Sequence, residues 1–202
     1  MEVRAILKER PRITVLNNTT ILFIMLMAMV LFFSSQSRDF YSYLNLSTLL
    51  VNLSFMGIIA APLTLVMITG GLDISIGGVI GLTSCLVAWL YNAGVNIYLV
   101  ILIGLLIGGA VGATNGFFVT KVGINPIITT LGTMAVTRGM GFVITNGRSI
   151  LIMEKVVGFI GRGMVWKIPF PVVLMIIIYA IFQFLSRYSK FGRHVYAVGG
   201  NI

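Results

Sequence analysis

Acidic side chains are scarce: five Asp and Glu stand against fourteen Lys and Arg in 202 residues, and charged types make up only 9% of the chain. A soluble globular domain carries roughly a quarter, so this composition rules out an ordinary water-facing surface. One cysteine, Cys85, rules out a disulfide or a Cys-based metal site within a single chain. One histidine, His194, removes multi-histidine metal centres and leaves a Ser-His hydrolase without support. No G-x-x-x-x-G-K-[ST] phosphate loop occurs, and Ser75 does not sit in a G-x-S-x-G elbow. The expectation is a non-enzymatic chain with no catalytic residue, no metal and no cofactor, driven by energy from elsewhere.

What is present is apolar. Hydrophobic residues make up 58% and the mean hydropathy is +1.05. Six apolar runs stand out, at 19–33, 46–69, 76–92, 97–119, 126–145 and 168–186. A spanning helix needs about 20 apolar residues, with roughly 17 to 25 accepted, so the predicted fold is all-α: a polytopic transmembrane bundle of about six spans. The first run follows basic residues as a signal peptide would, but "LFFSSQS" offers no small-x-small cleavage site and further spans follow, so it reads as an uncleaved helix. The net charge of +9 does not form a basic face with interleaved aromatics, which argues against nucleic acid. It marks orientation instead. With the N-terminus inside, Arg4, Lys8, Arg10, Arg12, Lys121, Arg187, Lys190 and Arg193 all lie in the cytoplasm. Loop 146–167, with four basic residues, would be outside. Either it docks an external partner or it simply breaks a statistical rule.

The fourth run, "GLLIGGAVGATNG", sets Gly104, Gly108, Gly112 and Gly116 at four-residue steps on one helix face. Small residues at that spacing let helices approach closely in lipid, and Asn115 beside them could bond across the seam. Thr129, Thr133 and Thr137 share a face of the fifth run. Arg138 lies within that run, where a charge faces a cavity or a partner or snorkels to the interface. It reads either as a lining group of a path or as a structural charge. In "GGLDISIGG", residues 70–78, Gly70 and Gly71 permit a tight reversal with positive φ. Asp73 or Ser75 then caps the first amides of the next helix. Pro62 upstream removes the donor for the carbonyl of Ile58.

Three blocks carry a family resemblance. "TLVMITGGLDISIGGVIGL", "NGFFVTKVGINPIITTLGTMAVTRGMGFVITNGRSI" and "SRYSKFGRHVYAVGGN" resemble, in order and spacing, ABC-importer permeases of the ribose and monosaccharide type, across roughly residues 50–201. Branched-chain amino acid permeases share the architecture more distantly. The resemblance implies an inner-membrane, multi-pass subunit forming the translocation path of an ATP-driven sugar importer. It also implies a second permease copy, cytoplasmic ABC ATPase subunits and an extracytoplasmic sugar-binding protein. By that pattern Phe191, Gly192, Arg193, Gly199, Gly200 and Asn201 lie on the ATPase-coupling side, and Asn115, Thr133 and Arg138 are candidates for the path. Residues 1–18 form a cytoplasmic segment, 19–186 the membrane domain and 187–202 a cytoplasmic tail. The family would have glycine at Pro62 and would continue past "VGGNI" into a coupling helix and further spans. The expected function is thus that of an incomplete permease. The alternative is a truncated, non-transporting membrane protein that at most assembles with a full-length permease. Half of an ion-driven secondary transporter is a third class.

Overall fold

A computed structural model describes residues 17–200; Arg4, Lys8, Arg10, Arg12 and Asn201, singled out from the sequence, lie outside the described residues. The structure divides into two units after Thr48. In the first, α1 (Asn18–Gln36) is apolar on every side, with Leu22, Phe23 and Leu31 exposed, as a helix immersed in lipid must be. Asn45 Nδ2 donates to the carbonyl of Phe40 at 2.7 Å and orders the turn before α2 (Tyr43–Ile68).

The second unit contains the remainder of α2 together with α3 (Ile76–Asn92), α4 (Ile97–Phe117), a π-helical extension at Phe118–Val122, and α5 (Pro126–Thr145). A short α6 (Lys155–Arg162) and a minimal hairpin of β1 (Met164–Val165) and β2 (Ile168–Pro169) precede α7 (Phe170–Tyr188) and α8 (Lys190–Gly199). Among the described residues, five helices are long and apolar enough to cross a membrane, and α3 is a shorter apolar helix of 17 residues. The chain is a multi-pass membrane protein with a helical bundle fold. Among the described residues the two-residue strands are the one departure from all-α structure, and they close a hairpin whose tip residue, Trp166, takes φ +59° and is almost fully exposed.

Local chemistry sets the element ends. Asn96 Oδ1 accepts the amide of Tyr98 to start α4, and Asn125 Oδ1 accepts the amide of Ile127 to start α5, with Pro126 at its first position. The π-helical turn stops at Gly123, whose φ of +80° glycine alone takes without strain. Helix α2 runs through Pro62 as one element.

In the core of this unit α3 packs against both α4 and α5. Of the four glycines spaced four residues apart on α4, two meet α3: a Cβ on Gly104 would stand 3.1 Å from Val87 Cγ2, and one on Gly108 would stand 3.9 Å from Val79 Cγ1. A Cβ on Gly112 or Gly116 would meet nothing within 4 Å. The tightest approach between helices in this core is elsewhere. A Cβ on Gly78 of α3 would collide with Thr137 Oγ1 and stand 2.9 Å from the backbone oxygen of Met134. Higher on the same interface, a Cβ on Gly141 of α5 would stand 3.5 Å from Cys85 Sγ and 3.6 Å from Leu82 Cα. Glycine on both helices lets these backbones approach closely, which in lipid is the main source of packing energy.

Loop 146–169 is tied to the end of α3. The Tyr91 hydroxyl donates to Glu154 Oε2 at 2.8 Å, and Asn92 Nδ2 donates to the carbonyl of Leu151 at 3.4 Å. Glu154 also accepts the amide of Val156 at the start of α6. The Tyr91 hydroxyl first, and that amide second, hold the Glu154 carboxyl below the usual carboxylate range. A depressed carboxyl contributes stability above its unfolded pKa and loses it as pH falls through the folded one. The tie is therefore present at neutral pH and released only in acid, below the ordinary glutamate range. Amide exchange over 154–162, corrected for intrinsic rates, is expected to speed up on acidification; in Tyr91→Phe it is already fast at neutral pH. Exchange that ignores both changes would show that the loop is held by something else.

Candidate functional site

A chain of buried polar groups links three elements of the second unit. Asp73 Oδ1 accepts the Ser75 amide at 2.8 Å and the Ser75 hydroxyl at 2.6 Å. Ser75 Oγ in turn accepts Asn115 Nδ2 of α4 at 2.9 Å, and Asn115 Oδ1 accepts the Thr133 hydroxyl of α5 at 2.6 Å. Ser75 is 1% and Asn115 5% exposed. Each buried group in the chain has a partner, as the low-dielectric interior requires.

The turn that starts this chain is sunk into the bundle. Asn115 lies seven residues before Val122, where the π-helical turn ends, and Thr133 lies seven residues beyond Pro126, where α5 starts. At 1.5 Å per residue each is about 10 Å from the 123–125 turn. Ser75 meets Asn115 at that depth, so the 70–75 turn sits about two helical turns further in. The Thr130 hydroxyl, one helical turn into α5 and about 6 Å from the 123–125 turn, reaches the carbonyl of Leu72 at 3.4 Å, so Leu72 lies about one turn nearer that end than Ser75. Gly70 takes φ +76° as the reversal requires. Gly71 does not take positive φ; it is small because a Cβ there would stand 3.1 Å from Val66 Cγ1 and 3.3 Å from the Val66 oxygen.

Two expectations change in detail. Asp73 reaches the amide of Ser75, ahead of α3, rather than the first amides of α3 itself, and the Ser75 side chain caps no amide of α3 because it bridges Asp73 to Asn115. The structure brings Asn115 and Thr133 together but leaves Arg138 out. Arg138 is exposed on α5, one residue past Thr137, and a step of about 100° turns it off the threonine face.

That face borders a groove of about 810 Å³ between α3, α4 and α5, walled mainly by carbon from residues such as Leu82, Val111 and Val136, with Thr129, Thr133 and Thr137 as its polar edge. The Oγ1 of Thr129 is buried and has no hydrogen-bond partner among the described residues. Missed in the sequence was the contact between Gly78 and Thr137, which seats α3 on α5. The pair Gly77-Gly78 was in plain view, but nothing in one chain's pattern named its partner.

At the C-terminal end, where the resemblance implies the coupling side, Ser189 Oγ accepts the amide of Gly192 at 3.0 Å and starts α8. A Cβ on Gly192 would strike the carbonyl of Ser186, and one on Gly199 the carbonyl of Ile68, so both glycines allow α8 to fold back against α7 and α2. Phe191, Arg193 and Gly200 are exposed.

Asn115→Leu removes both interhelical bonds at once. Ser75 keeps its bond to Asp73 and Thr133 keeps one to the Thr129 carbonyl at 3.0 Å, so neither hydroxyl is orphaned. The expected loss is about 1 kcal/mol, the usual size for hydrogen bonds within membranes. Reversible unfolding in mixed micelles measures it, and a loss several times larger would mean that the bonds do more than join helices.

The family described as "Branched-chain amino acid transport system / permease component" matches residues 45–202. The chain is 38% identical over 89% of its length to a ribose import permease protein of Bacillus subtilis, covering 56% of that protein. It is 34% identical over 89% of its length to a D-allose transport system permease protein of Escherichia coli, covering 55% of it. With an L-arabinose ABC transporter permease protein of Azospirillum brasilense it shares 34% identity over 81% of its length, 48% of the relative. The chain spans about half the length of these curated relatives. No solved structure matches it. A helical membrane bundle whose sequence carries this match from the start of α2 onward belongs to the branched-chain amino acid transport system permease family, on the branch of the sugar ABC permeases.

Proposed function

We propose that the chain is the membrane-spanning permease part of an ATP-driven importer of ribose-like monosaccharides and forms a wall of its translocation path. The observation that carries this reading is the polar chain Asp73–Ser75–Asn115–Thr133, set about 10 Å into an otherwise apolar bundle. Only Oδ1 of Asp73 is engaged by the described residues, which leaves Oδ2 of this half-buried carboxylate to accept a hydroxyl from a passing solute. The names of the ribose, allose and arabinose relatives supply the substrate class. The partners are cytoplasmic ABC ATPase subunits, an extracytoplasmic sugar-binding protein and a second permease copy.

The N-terminus is cytoplasmic in this reading, with residues 1–18 and 187–202 inside and 19–186 in the membrane. The fold-back of Gly199 onto Ile68 sets α8 at the same end of the unit as the 70–75 turn, so both are inside in this reading. The coupling surface for the ATPase includes Phe191, Arg193 and Gly200, and Asn201 follows them in sequence.

The test expresses the chain with a ribose-type ATPase and binding protein in bacteria that lack their own ribose permease. Labelled ribose is expected to enter, and Asp73→Ala is expected to slow entry severalfold at unchanged membrane level. If the chain inserts and binds the ATPase but carries no ribose, allose or arabinose, the second reading stands: a membrane protein that assembles with a full-length permease without transporting.

A further inference from the structure

At the foot of α7, its last turn and the body of α8 enclose a cleft of about 480 Å³ lined by Gln183, Ser186, Arg187, Arg193 and Tyr196. Every one of these side chains can donate a hydrogen bond. No acidic residue occurs anywhere in 155–202, and neither guanidinium has a carboxylate partner among the described residues. Two cations thus share one cleft with nothing on the neighbouring elements to neutralise them.

Its position in the bundle identifies what could. Helix α7 ends at Tyr188, and α8 folds back until Gly199 touches the carbonyl of Ile68, where α2 ends. The cleft therefore sits at the level where two spans leave the apolar layer. Helix α8 is amphipathic: Val195 is buried, Phe191, Tyr196 and Val198 are exposed apolar groups, and Lys190 and Arg193 are charged, the composition of a helix lying in the interfacial plane. The Arg187 guanidinium stands 5.9 Å from the centre of the Tyr188 ring, and Phe184 and Tyr188 are exposed on the flank of α7 next to the cleft.

We propose that this cleft binds the phosphate of an anionic phospholipid, of the phosphatidylglycerol type, with its acyl chains lying along the exposed flank of α7. Arginine takes phosphate oxygens with paired N–H groups, the Ser186 and Tyr196 hydroxyls supply further donors, and basic pockets between spans are where anionic headgroups bind. A free phosphate would satisfy the same donors but would leave the apolar flank beside them bare.

Native mass spectrometry of the full chain in neutral detergent, titrated with phosphatidylglycerol and separately with phosphatidylcholine, tests the proposal. The wild type is expected to retain one phosphatidylglycerol in preference to phosphatidylcholine. Affinity should fall about fivefold for Arg187→Ala or Arg193→Ala, and about 25-fold for both, with Arg187→Lys/Arg193→Lys keeping most of it. Inorganic phosphate should not displace the lipid. If the wild type does not discriminate between the two lipids, the proposal fails even if the double variant cannot be purified. Displacement by inorganic phosphate would overturn it in favour of a free-anion site. Unchanged lipid retention in the double variant, with co-purification of the ATPase lost, would overturn it in favour of a protein-docking surface.

Discussion

Gly78→Leu is expected to open the bundle. A Cβ at this position would strike Thr137 Oγ1 and lie 2.9 Å from the Met134 carbonyl oxygen and 3.1 Å from Met134 Cα. A side-chain tip can swing away, but the last two atoms are α5 backbone and move only if the helix moves. Leucine adds three further carbons to that collision, so the cost sits at or above the upper end of overpacking, roughly 3 kcal/mol. The damage would not stay local. Displacing α5 from the start of α3 pulls Thr133 from Asn115 and Thr130 from Leu72, so the polar chain opens too. The expected readouts are a sharply lower melting temperature in detergent and faster amide exchange across α3 and α5. Gly112→Leu is the matched control on α4, where an added Cβ meets nothing within 4 Å. Equal stability of the two variants would sink the claim that the α3–α5 contact holds this unit together.

Gly199→Val should have the second-largest effect, at the other end of the same unit. An added Cβ would collide with the Ile68 carbonyl oxygen and lie 3.0 Å from its carbon, again backbone. A branched side chain there levers α8 off the end of α2 at a cost of roughly 2–3 kcal/mol. The spans themselves keep their contacts, so the bundle should still insert and purify. Exchange at the amides of α8 is expected to rise selectively. If the proposed function holds, sugar-stimulated ATP hydrolysis by the partner falls with it, since α8 is then no longer fixed to the spans. Full protection of α8 in the variant would show that Ser189 and Gly192 alone suffice to hold it.

Much of this was legible before any coordinates. Apolar runs located the helices to within a few residues, because lipid demands long apolar segments and leaves little latitude. Asn125-Pro126 and the positive-φ Gly70 were readable for the same kind of reason: the backbone chemistry at those places is local. Pairing was less legible. The regular glycines of α4 drew attention as a seam, yet only Gly104 and Gly108 meet α3, while Gly78 on a neighbouring helix makes the closer contact. Spacing along one helix shows that it can be approached, and it does not say by what. The same limit hid the site. Asp73 looked like a cap because carboxylates near helix starts usually are, and its link through Ser75 to a residue 40 positions on is a property of tertiary packing.

The depth of the 70–75 turn has a consequence for the dielectric barrier. From the 70–75 turn to the far end of α3 is the length of 17 residues, about 25 Å, against roughly 30 Å for the hydrocarbon layer of a bilayer. Hydration reaching the turn would meet a carboxylate, a hydroxyl and an amide there. If the proposed function holds, a polyol moving along this flank regains polar contact at the 70–75 turn before it has crossed the full hydrocarbon thickness.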